Sequence, residues 1–315
     1  MGVFFIPFPG YCERMIIGHA LPYNTLESAL ENKQHHGFLL SGPRGIGKST
    51  QARNLAIAAL TKASPFNKKI VEQQCMAGAY PNYFYICQFK DDDGKLKNDI
   101  TIEQVRTLLN SLKQKAAVSG PRIIIIDSVD NLNRQAANAL LKMLEEPPHD
   151  AFFYLICHSI GSVMPTLRSR CLNINFKSLS DSDMAQVITS QGHTVDPTIV
   201  SMASGSPGNY EKILAAGGST TILAIQKLLM LTNLNDLKSA VQELLKLSDD
   251  TFLGYLLHQF LYHQALNEPE IYAHPAQAVE KFMRYTHNTH LDGAHRLVAA
   301  VLLAQNPQQE QVVYG

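Results

Sequence analysis

Short apolar runs alternate with helix-like patterns along the first half of the chain. Four of these runs predict buried strands, at Gly37–Ser41, Tyr83–Cys87, Arg122–Ile126 and Phe152–Cys157. Apolar runs of this length are typical of parallel strands covered on both faces, and strands that alternate with helices are typical of such sheets. The pattern therefore predicts an α/β domain built on a parallel sheet.

Two helices are clearly marked between these strands. Thr101 and Gln104 have the spacing of a capping box at the start of the first helix. The second helix is predicted from Asn133 to Glu146, where apolar residues fall on one face and the proline pair that follows stops the helix. Both segments therefore fit helices that cover a face of the sheet.

The chain after residue 178 shows helical patterns without strand patterns. The Gly217-Gly218 pair divides this part, because adjacent glycines disfavour a continuous helix. We therefore predict three domains: an α/β domain at 1–178, a small helical domain at 179–217 and a larger helical domain at 218–315.

Composition narrows the class of protein. Lys plus Arg and Asp plus Glu are both 27 among 315 residues, so no overall positive field favours nucleic acid or anionic lipid. The five cysteines are scattered and odd in number, which predicts a reducing cytoplasm rather than a disulfide framework. The apolar run at residues 3–8 is short and broken by proline, so it predicts neither a signal peptide nor a membrane span. Residues 1–14 are expected to form a loose extension, with Met15 as an alternative start.

The most informative motif directly follows the first predicted strand. It has the pattern of a P-loop, in which glycines turn backbone N–H groups towards phosphate oxygens and the lysine reaches the outer phosphates. The predicted nucleotide contacts are Gly42, Pro43, Arg44, Gly45, Ile46, Gly47, Lys48, Ser49 and Thr50. The alternative, an ordinary glycine-rich turn, fits the strand before it and the helical pattern after it less well. The motif predicts binding of ATP or ADP.

A second nucleotide signature ends the third predicted strand. The run Ile123–Ile126 is followed by Asp127, a carboxylate placed to hold Mg²⁺ together with Ser49. Ser128 stands where many such ATPases carry a glutamate that orients water, and a hydroxyl is no general base at neutral pH. Asp130 lies three residues after Asp127, and its reach is left open. The sequence predicts binding with weak turnover.

Two polar segments predict no site. The tract Lys90–Asn98 contains three consecutive aspartates but lacks the ligand spacing and closing glutamate of a calcium loop, so a solvated loop is expected. Near the C-terminus, the stretch His290–Asp292 predicts a helix start, and His295 and Arg296 predict a solvated helix face.

Two longer blocks carry a family resemblance, Asp127–Pro148 and Leu167–Cys171. With shorter matches at residues 17–19, 76–82 and 205–208, the chain resembles the clamp-loader branch of the AAA+ ATPases over roughly Ile16 to Gly208. The resemblance implies a P-loop (AAA+) nucleotide-binding domain at 1–178, a helical lid at 179–217 and an all-α collar, through which subunits assemble, at 218–315.

The resemblance also implies a catalytic role for Arg170. Ser169-Arg170-Cys171 is similar to the motif from which clamp-loader subunits project an arginine into the ATP site of a neighbour. The alternative is an arginine that satisfies a local carboxylate. Arg168 is expected to form a structural ion pair. The family's first sensor would be His158 or Ser159.

Two departures separate this chain from the motor subunits of that family. Those subunits carry a four-cysteine zinc module, whereas only Cys75 and Cys87 lie in the corresponding interval here, so no zinc is predicted. Asn209 stands near the place of an arginine that serves as second sensor. The missing zinc module therefore separates this chain from the motor subunits, whereas Asn209, like Ser128, favours a subunit that binds nucleotide without efficient turnover.

The leading hypothesis is a scaffold subunit of the bacterial DNA polymerase III clamp loader that donates Arg170 to a motor subunit. Its implied partners are subunits of the gamma/tau and delta type and, through them, the sliding clamp and primed DNA, with no membrane. The alternative is an independently active AAA+ ATPase. A small-molecule kinase is less favoured, because no second cluster of arginines and carboxylates marks an acceptor site.

Overall fold

The computed structural model describes residues 17–32, 35–88, 99–114, 118–286 and 291–307. The predictions for residues 1–14 and for the tract Lys90–Asn98 lie outside these ranges. The chain divides into two compact units, Met1–Gly192 and His193–Gly315. Within the described ranges, no helix combines the length and the apolar character needed to cross a bilayer.

The first unit contains a parallel sheet with the strand order β2-β3-β4-β1-β5. Its strands are β1 (Gly37–Ser41), β2 (Tyr83–Cys87), β3 (Arg122–Asp127), β4 (Ala151–Cys157) and β5 (Leu172–Asn175). The four predicted strands are confirmed to within one residue at each end.

Helices cover both faces of this sheet. The helices of this unit are α1 (Ala20–Glu31), α2 (Lys48–Ala63), α3 (Lys68–Met76), α4 (Ile102–Lys113), α5 (Arg134–Glu145), α6 (Pro165–Arg168) and α7 (Asp181–Ser190), with a 3₁₀ turn at Val129–Asn131. The Thr101–Gln104 capping box is present at α4. Asn133 caps α5 by accepting a hydrogen bond from the Ala136 N–H, so the two predicted helices are confirmed.

Alternation along β1 divides the core into two layers. Phe38 and Leu40 pack with residues of α1 and α2 on one face, whereas Leu39 packs with residues of α4 and α5 on the other. All three side chains are almost fully buried. Because successive side chains of a strand point to opposite faces, the middle of a strand covered on both faces must be apolar, as these three residues are.

The second unit contains helices joined by short connections, and no strand among its described residues. Its helices are α8 (Pro197–Ala203), α9 (Pro207–Ala215), α10 (Ser219–Leu228), α11 (Leu234–Leu245), α12 (Asp250–Asn267), α13 (Pro269–Thr286) and α14 (Gly293–Gln305). Side chains of Asp196, Ser206, Asp249 and Asp292 cap four of these helices by accepting backbone N–H groups. The helix start predicted at Asp292 is confirmed.

The solvated face predicted for Arg296 is wrong. Arg296 is only 8% exposed, and its guanidinium forms an ion pair with Asp250 at the start of α12. It also donates to the Thr286 carbonyl and to Thr251 Oγ1, each at 3.0 Å. A buried guanidinium needs partners for most of its N–H groups, and these three residues supply them.

Candidate functional site

The P-loop joins the carboxyl end of β1 to the N-terminus of α2. Gly47 precedes the helix with φ of 103°, and Gly42 has φ of 144°. A Cβ atom at Gly42 would lie 2.1 Å from the Phe176 carbonyl oxygen, so only glycine fits where the loop packs on the chain after β5. Ile46 anchors the loop in the core with 1% exposure.

A buried histidine holds the same loop from the other side. His19, just before α1, has its Nε2 atom 2.8 Å from the Ile46 carbonyl oxygen and packs edge-on against Phe176. Burial lowers the pKa of His19 below its usual value, which keeps the ring neutral. In the sequence, His19 is notable only as part of the family resemblance at residues 17–19. The contact of His19 with the P-loop was not predicted.

Lys48 lies inside the curve of the loop. Its Nζ donates to the carbonyl oxygens of Gly42 and Pro43, at 2.6 and 2.5 Å. Burial lowers the pKa of Lys48 to about 8, against the opposing attraction of Asp127. The ammonium is therefore charged at neutral pH and is held against two carbonyl oxygens of the loop.

The parallel sheet brings Asp127 to the same edge as the P-loop, and a tyrosine contacts both. The Tyr85 hydroxyl, from β2, donates to Asp127 Oδ2 at 2.7 Å and lies 3.2 Å from Ser49 Oγ. Arg53, one turn after Ser49 on α2, donates to the same hydroxyl at 2.6 Å. Burial and the Asp127 charge raise the pKa of Tyr85, so its hydroxyl stays protonated.

The Mg²⁺ site that the sequence predicts at Ser49 and Asp127 stays a prediction. In the structure both side chains contact the same protein hydroxyl, which bridges Ser49 Oγ and Asp127 Oδ2. The sequence missed Arg53 and Tyr85. The position of Arg53 four residues after Ser49 was an available signal, since such residues share a helix face; Tyr85 carried no signal beyond its place in a strand.

The Asp130 side chain is hydrogen-bonded to the loop that follows β4. Its carboxylate accepts hydrogen bonds from the His158 N–H, the Ser159 N–H and Ser162 Oγ, at 2.7, 3.1 and 2.6 Å. Burial alone would raise the pKa of Asp130, but these hydrogen bonds outweigh it and lower the pKa. Asp130 therefore acts as an anchor for this loop.

Ser128 is 2% exposed and accepts a hydrogen bond from Asn131.

The loop that Asp130 anchors places His158 near the P-loop. Burial lowers the pKa of His158 to about 4, and the charges of Lys48 and Arg44 act in the same direction. Its Nδ1 atom is buried and has no hydrogen-bond partner among the described residues. The ring is therefore neutral at pH 7, beside two cationic side chains.

Arg170 lies beside the amino end of β1, whereas the P-loop follows the carboxyl end of that strand. Its backbone oxygen would be 3.2 Å from a Cβ at Gly37, where β1 begins. The P-loop follows Ser41 at the other end of that strand, about 13 Å away at a rise of about 3.3 Å per residue. The structure therefore does not bring Arg170 together with the P-loop of its own chain.

The Arg170 guanidinium is held locally and remains partly exposed. Its Nη2 pairs with Glu145 Oε1 at 2.6 Å, and its Nη1 donates to the Thr166 carbonyl at 3.0 Å. Arg168 instead donates to the Ile160 carbonyl at 3.4 Å, and no carboxylate of the described residues pairs with it, so the ion pair expected for Arg168 is absent there.

Asn209, the residue near the expected second sensor, is engaged within the second unit. Its Nδ2 donates to the Tyr255 hydroxyl of α12 at 2.9 Å, and its backbone N–H is capped by Ser206 Oγ. The amide carries no charge, so it cannot replace the electrostatic role of an arginine. Its observed contacts join α9 to α12.

A sequence comparison decides the family. The family described as DNA polymerase III, delta subunit, matches residues 19–180, just over half of the chain. The chain belongs to this family. The match includes β1 to β5, the P-loop, Asp127 and Arg170.

Curated relatives agree with this membership. DNA polymerase III subunit delta-prime of Pseudomonas aeruginosa is 29% identical over 58% of this chain and 57% of its own length. DNA polymerase III subunit tau/gamma of Haemophilus influenzae is 29% identical over 78% of this chain and 35% of its own length. The chain thus spans about half the length of the curated relatives it matches. It is a delta-prime-like member of the clamp-loader subunits.

One solved structure aligns over most of the chain. It is a DNA polymerase III gamma subunit-related protein from Thermotoga maritima, with a TM-score of 0.49 and 13% identity, covering 90% of this chain and 98% of the other.

Proposed function

We propose that this delta-prime-like chain binds nucleotide, acts as a scaffold in a DNA polymerase III clamp loader and supplies Arg170 to the ATP site of a neighbouring subunit. The observation that carries the proposal is the placement of Arg170. It lies at the amino ends of the strands, away from its own P-loop at the carboxyl ends, and its side chain is 35% exposed. A guanidinium in that place can reach phosphates only in another molecule.

The local contacts of Arg170 support an exchange of partners. Exposed ion pairs contribute little to stability, typically about 0–1 kcal/mol, so leaving Glu145 costs little. An arginine placed against a phosphoryl group in transfer stabilises the negative charge of the transition state. In the assembled loader, the γ-phosphate of a neighbour's ATP would therefore replace Glu145 as the partner of Arg170.

The chain's own site favours binding over turnover. The glycine geometry of the P-loop and the charged Lys48 suit the phosphates of ATP or ADP. Ser128 supplies no carboxylate, and Asp130 already accepts three hydrogen bonds, so neither is placed to act as a general base. The neutral His158 ring beside the loop is suited to contact the terminal phosphate as a hydrogen-bond donor.

These properties suit a scaffold subunit in ATP-dependent loading of the sliding clamp onto primed DNA. The neighbours would be motor subunits of the gamma/tau type and a subunit of the delta type, held together through the helical part at 218–315. The motor subunits would supply turnover, and this chain would complete one of their sites.

The test is ATP turnover of a reconstituted loader, stimulated by clamp and primed DNA. Arg170→Ala should lower turnover by about 100-fold or more at the completed site, because such arginines contribute about 10³ to 10⁵ in other nucleotidases. Arg168→Ala, two residues away, is the matched control and should leave turnover near that of wild type. Lys48→Ala should have a smaller effect than Arg170→Ala.

Assembly must be measured alongside turnover, by size-exclusion chromatography of the variant loaders. Intact assembly with lost turnover supports the finger role of Arg170. Equal turnover in the Arg170→Ala and wild-type loaders contradicts it, as does a larger loss for Lys48→Ala than for Arg170→Ala.

A second candidate function is an independently active AAA+ ATPase. It is favoured by one observation, the complete P-loop with Asp127 at the same edge of the sheet. Hydrolysis of many ATP molecules per chain by the isolated protein, abolished by Lys48→Ala, would establish this function in place of the first.

A further inference from the structure

The hydrogen-bond cluster around Tyr85 occupies the space between the two predicted Mg²⁺ ligands. Tyr85 is 8% exposed, so its hydroxyl is fixed in a largely water-free setting. It connects Ser49 on α2 with Asp127 at the end of β3. Nothing in the proposed finger role of Arg170 requires this cluster, which lies at the other edge of the sheet.

The hydrogen-bonding capacity of the Tyr85 hydroxyl is fully used. A tyrosine hydroxyl has one hydrogen to donate and two lone pairs that accept. Its hydrogen goes to Asp127 Oδ2, because a carboxylate can only accept. Arg53 Nη2 donates to it at 2.6 Å, and Ser49 Oγ is placed as the second donor at 3.2 Å. The bridge is therefore complete within the protein.

The bridge has the spacing of a metal-bound water. Mg²⁺ holds oxygen ligands at about 2.05 Å in an octahedron, so neighbouring ligands are about 2.9 Å apart. The Tyr85 oxygen lies 3.2 Å from Ser49 Oγ and donates to Asp127, which are the contacts a Mg²⁺-bound water would make in that place. A hydroxyl fixed in this position competes with the coordination shell of the ion.

Arg53 supplies the positive charge that accompanies this oxygen. Its guanidinium lies 4.4 Å from the centre of the Tyr85 ring and donates to the hydroxyl. A guanidinium remains charged at every pH at which proteins fold, and it is a frequent partner of phosphate. Arg53 is four residues after Ser49, on the helix whose N-terminus faces the P-loop.

We propose that Arg53 and Tyr85 form a built-in substitute for Mg²⁺, so that this chain binds metal-free nucleoside diphosphate or triphosphate. The inference rests on the proposed nucleotide binding and deepens it. The positive charges of the guanidinium and Lys48 balance the negative charges of Asp127 and the phosphates, and the Tyr85 hydroxyl occupies Asp127 Oδ2 with a hydrogen bond. Tyr85 is a positioning residue, because it acts through Asp127 and Ser49, whereas Arg53 acts through its charge and holds the Tyr85 hydroxyl.

The test is equilibrium binding of a fluorescent ATP analogue to the full chain, with excess Mg²⁺ or with EDTA. For wild type the two dissociation constants should agree within about threefold, which is under 1 kcal/mol. Tyr85→Phe removes the bridging oxygen and leaves Ser49 and Asp127 open, so Mg²⁺ should then tighten binding by about tenfold or more. Arg53→Gln should weaken binding in EDTA by about tenfold, because the phosphate charge loses a partner.

Tyr154→Phe is the matched control. Tyr154 is another buried tyrosine of the sheet, and its hydroxyl has no hydrogen-bond partner among the described residues. Its removal should leave the Mg²⁺ dependence of wild type unchanged. Far-ultraviolet circular dichroism of all variants establishes that each is folded before binding is compared.

The outcomes separate this inference from the proposed function. Wild-type binding that tightens tenfold or more with Mg²⁺ overturns the substitution and retains nucleotide binding. The same Mg²⁺ dependence in Tyr85→Phe and wild type also overturns it. If no folded variant binds the analogue in either buffer, the proposed nucleotide binding fails, and this inference fails with it.

Discussion

Two arginines, one in each compact unit, form ion pairs in very different surroundings. Arg296 and Asp250 have side chains only 9% and 16% exposed, and the Arg296 guanidinium donates further hydrogen bonds to residues of α12 and α13. Arg170 and Glu145 have side chains 35% and 48% exposed, and the guanidinium also donates to the Thr166 carbonyl and, at 3.4 Å, to Ser169 Oγ. The chemistry of the two pairs is the same, and only the surroundings differ.

The difference teaches which arginine is available to a partner. A guanidinium that is buried with several acceptors is part of the fold, because removing one partner leaves an unpaired charge away from water. A guanidinium at the surface loses little when it changes partner, because water can solvate both groups. Burial and completeness of hydrogen bonding therefore distinguish the structural Arg296 from Arg170.

The strongest test of this difference between buried and exposed ion pairs is to remove Arg296. Arg296→Ala leaves Asp250 charged and largely buried, so we expect the second unit to lose about 3–5 kcal/mol of stability. The measurement is urea unfolding followed by circular dichroism. Arg284→Ala is the matched control, since Arg284 pairs with Glu280 on one exposed helix face and should cost about 0.5 kcal/mol or less.

A second variant separates the charge from the packing. In Arg296→Ala with Asp250→Ala, no unpaired carboxylate remains, so the double variant should lose less stability than the sum of the two single variants. Equal losses for Arg296→Ala and Arg284→Ala would mean that burial does not distinguish the two kinds of pair.

The sequence could not separate these arginines, and the reason is physical. The partner of Arg296 lies 46 residues away, and their pairing depends on how α12, α13 and α14 pack. A helix start at Asp292 was predictable because an N-cap depends on neighbouring residues only. The solvated face expected for Arg296 failed because the packing of distant helices overrides a local pattern.

The strands and the hydrogen-bond cluster around Tyr85 show the same difference between features set by neighbouring residues and features set by distant ones. β1 and β2 have the predicted bounds because continuous apolar runs record burial on both faces. β5 was missed because it is a four-residue edge strand with the sequence Leu-Asn-Ile-Asn, and it is defined by pairing with β1. The P-loop is a local motif, whereas the bridge from Tyr85 to Asp127 spans 42 residues and needs the register of β2 and β3.

A buried histidine, His158, extends the comparison to a basic group whose Nδ1 atom has no hydrogen-bond partner among the described residues. The pKa of His158 is lowered to about 4, so the unfolded chain binds a proton between about pH 6.5 and 4 that the folded chain does not. Stability should therefore fall as pH is lowered through this range, by about 2 kcal/mol between pH 7 and 5. Lys48, Arg44, Asp127 and Asp130 are the charged groups that face the ring.

His158→Gln removes this proton and should flatten the fall in stability between pH 7 and 5. Asp130 titrates lower, because its pKa is lowered from a value that is already acidic, so it does not contribute in this window. Urea unfolding at a series of pH values gives the slope. His149→Gln, at a histidine whose side chain is 92% exposed, is the control and should retain the wild-type slope.

The smallest expected effect concerns the carboxylate that holds Arg170. Glu145→Gln removes one charge of an exposed pair, so the free energy of unfolding should fall by about 0.5 kcal/mol or less. The free energy of unfolding of this variant should then depend little on salt concentration. In the reconstituted loader, turnover should stay at or above the wild-type value, because Arg170 no longer has to leave Glu145 to reach a phosphate. Urea unfolding and loader turnover of the same variant check both statements. A loss of turnover as large as that of Arg170→Ala would show that Glu145 orients Arg170 for its task, and the two ion pairs would then differ in exposure but not in kind.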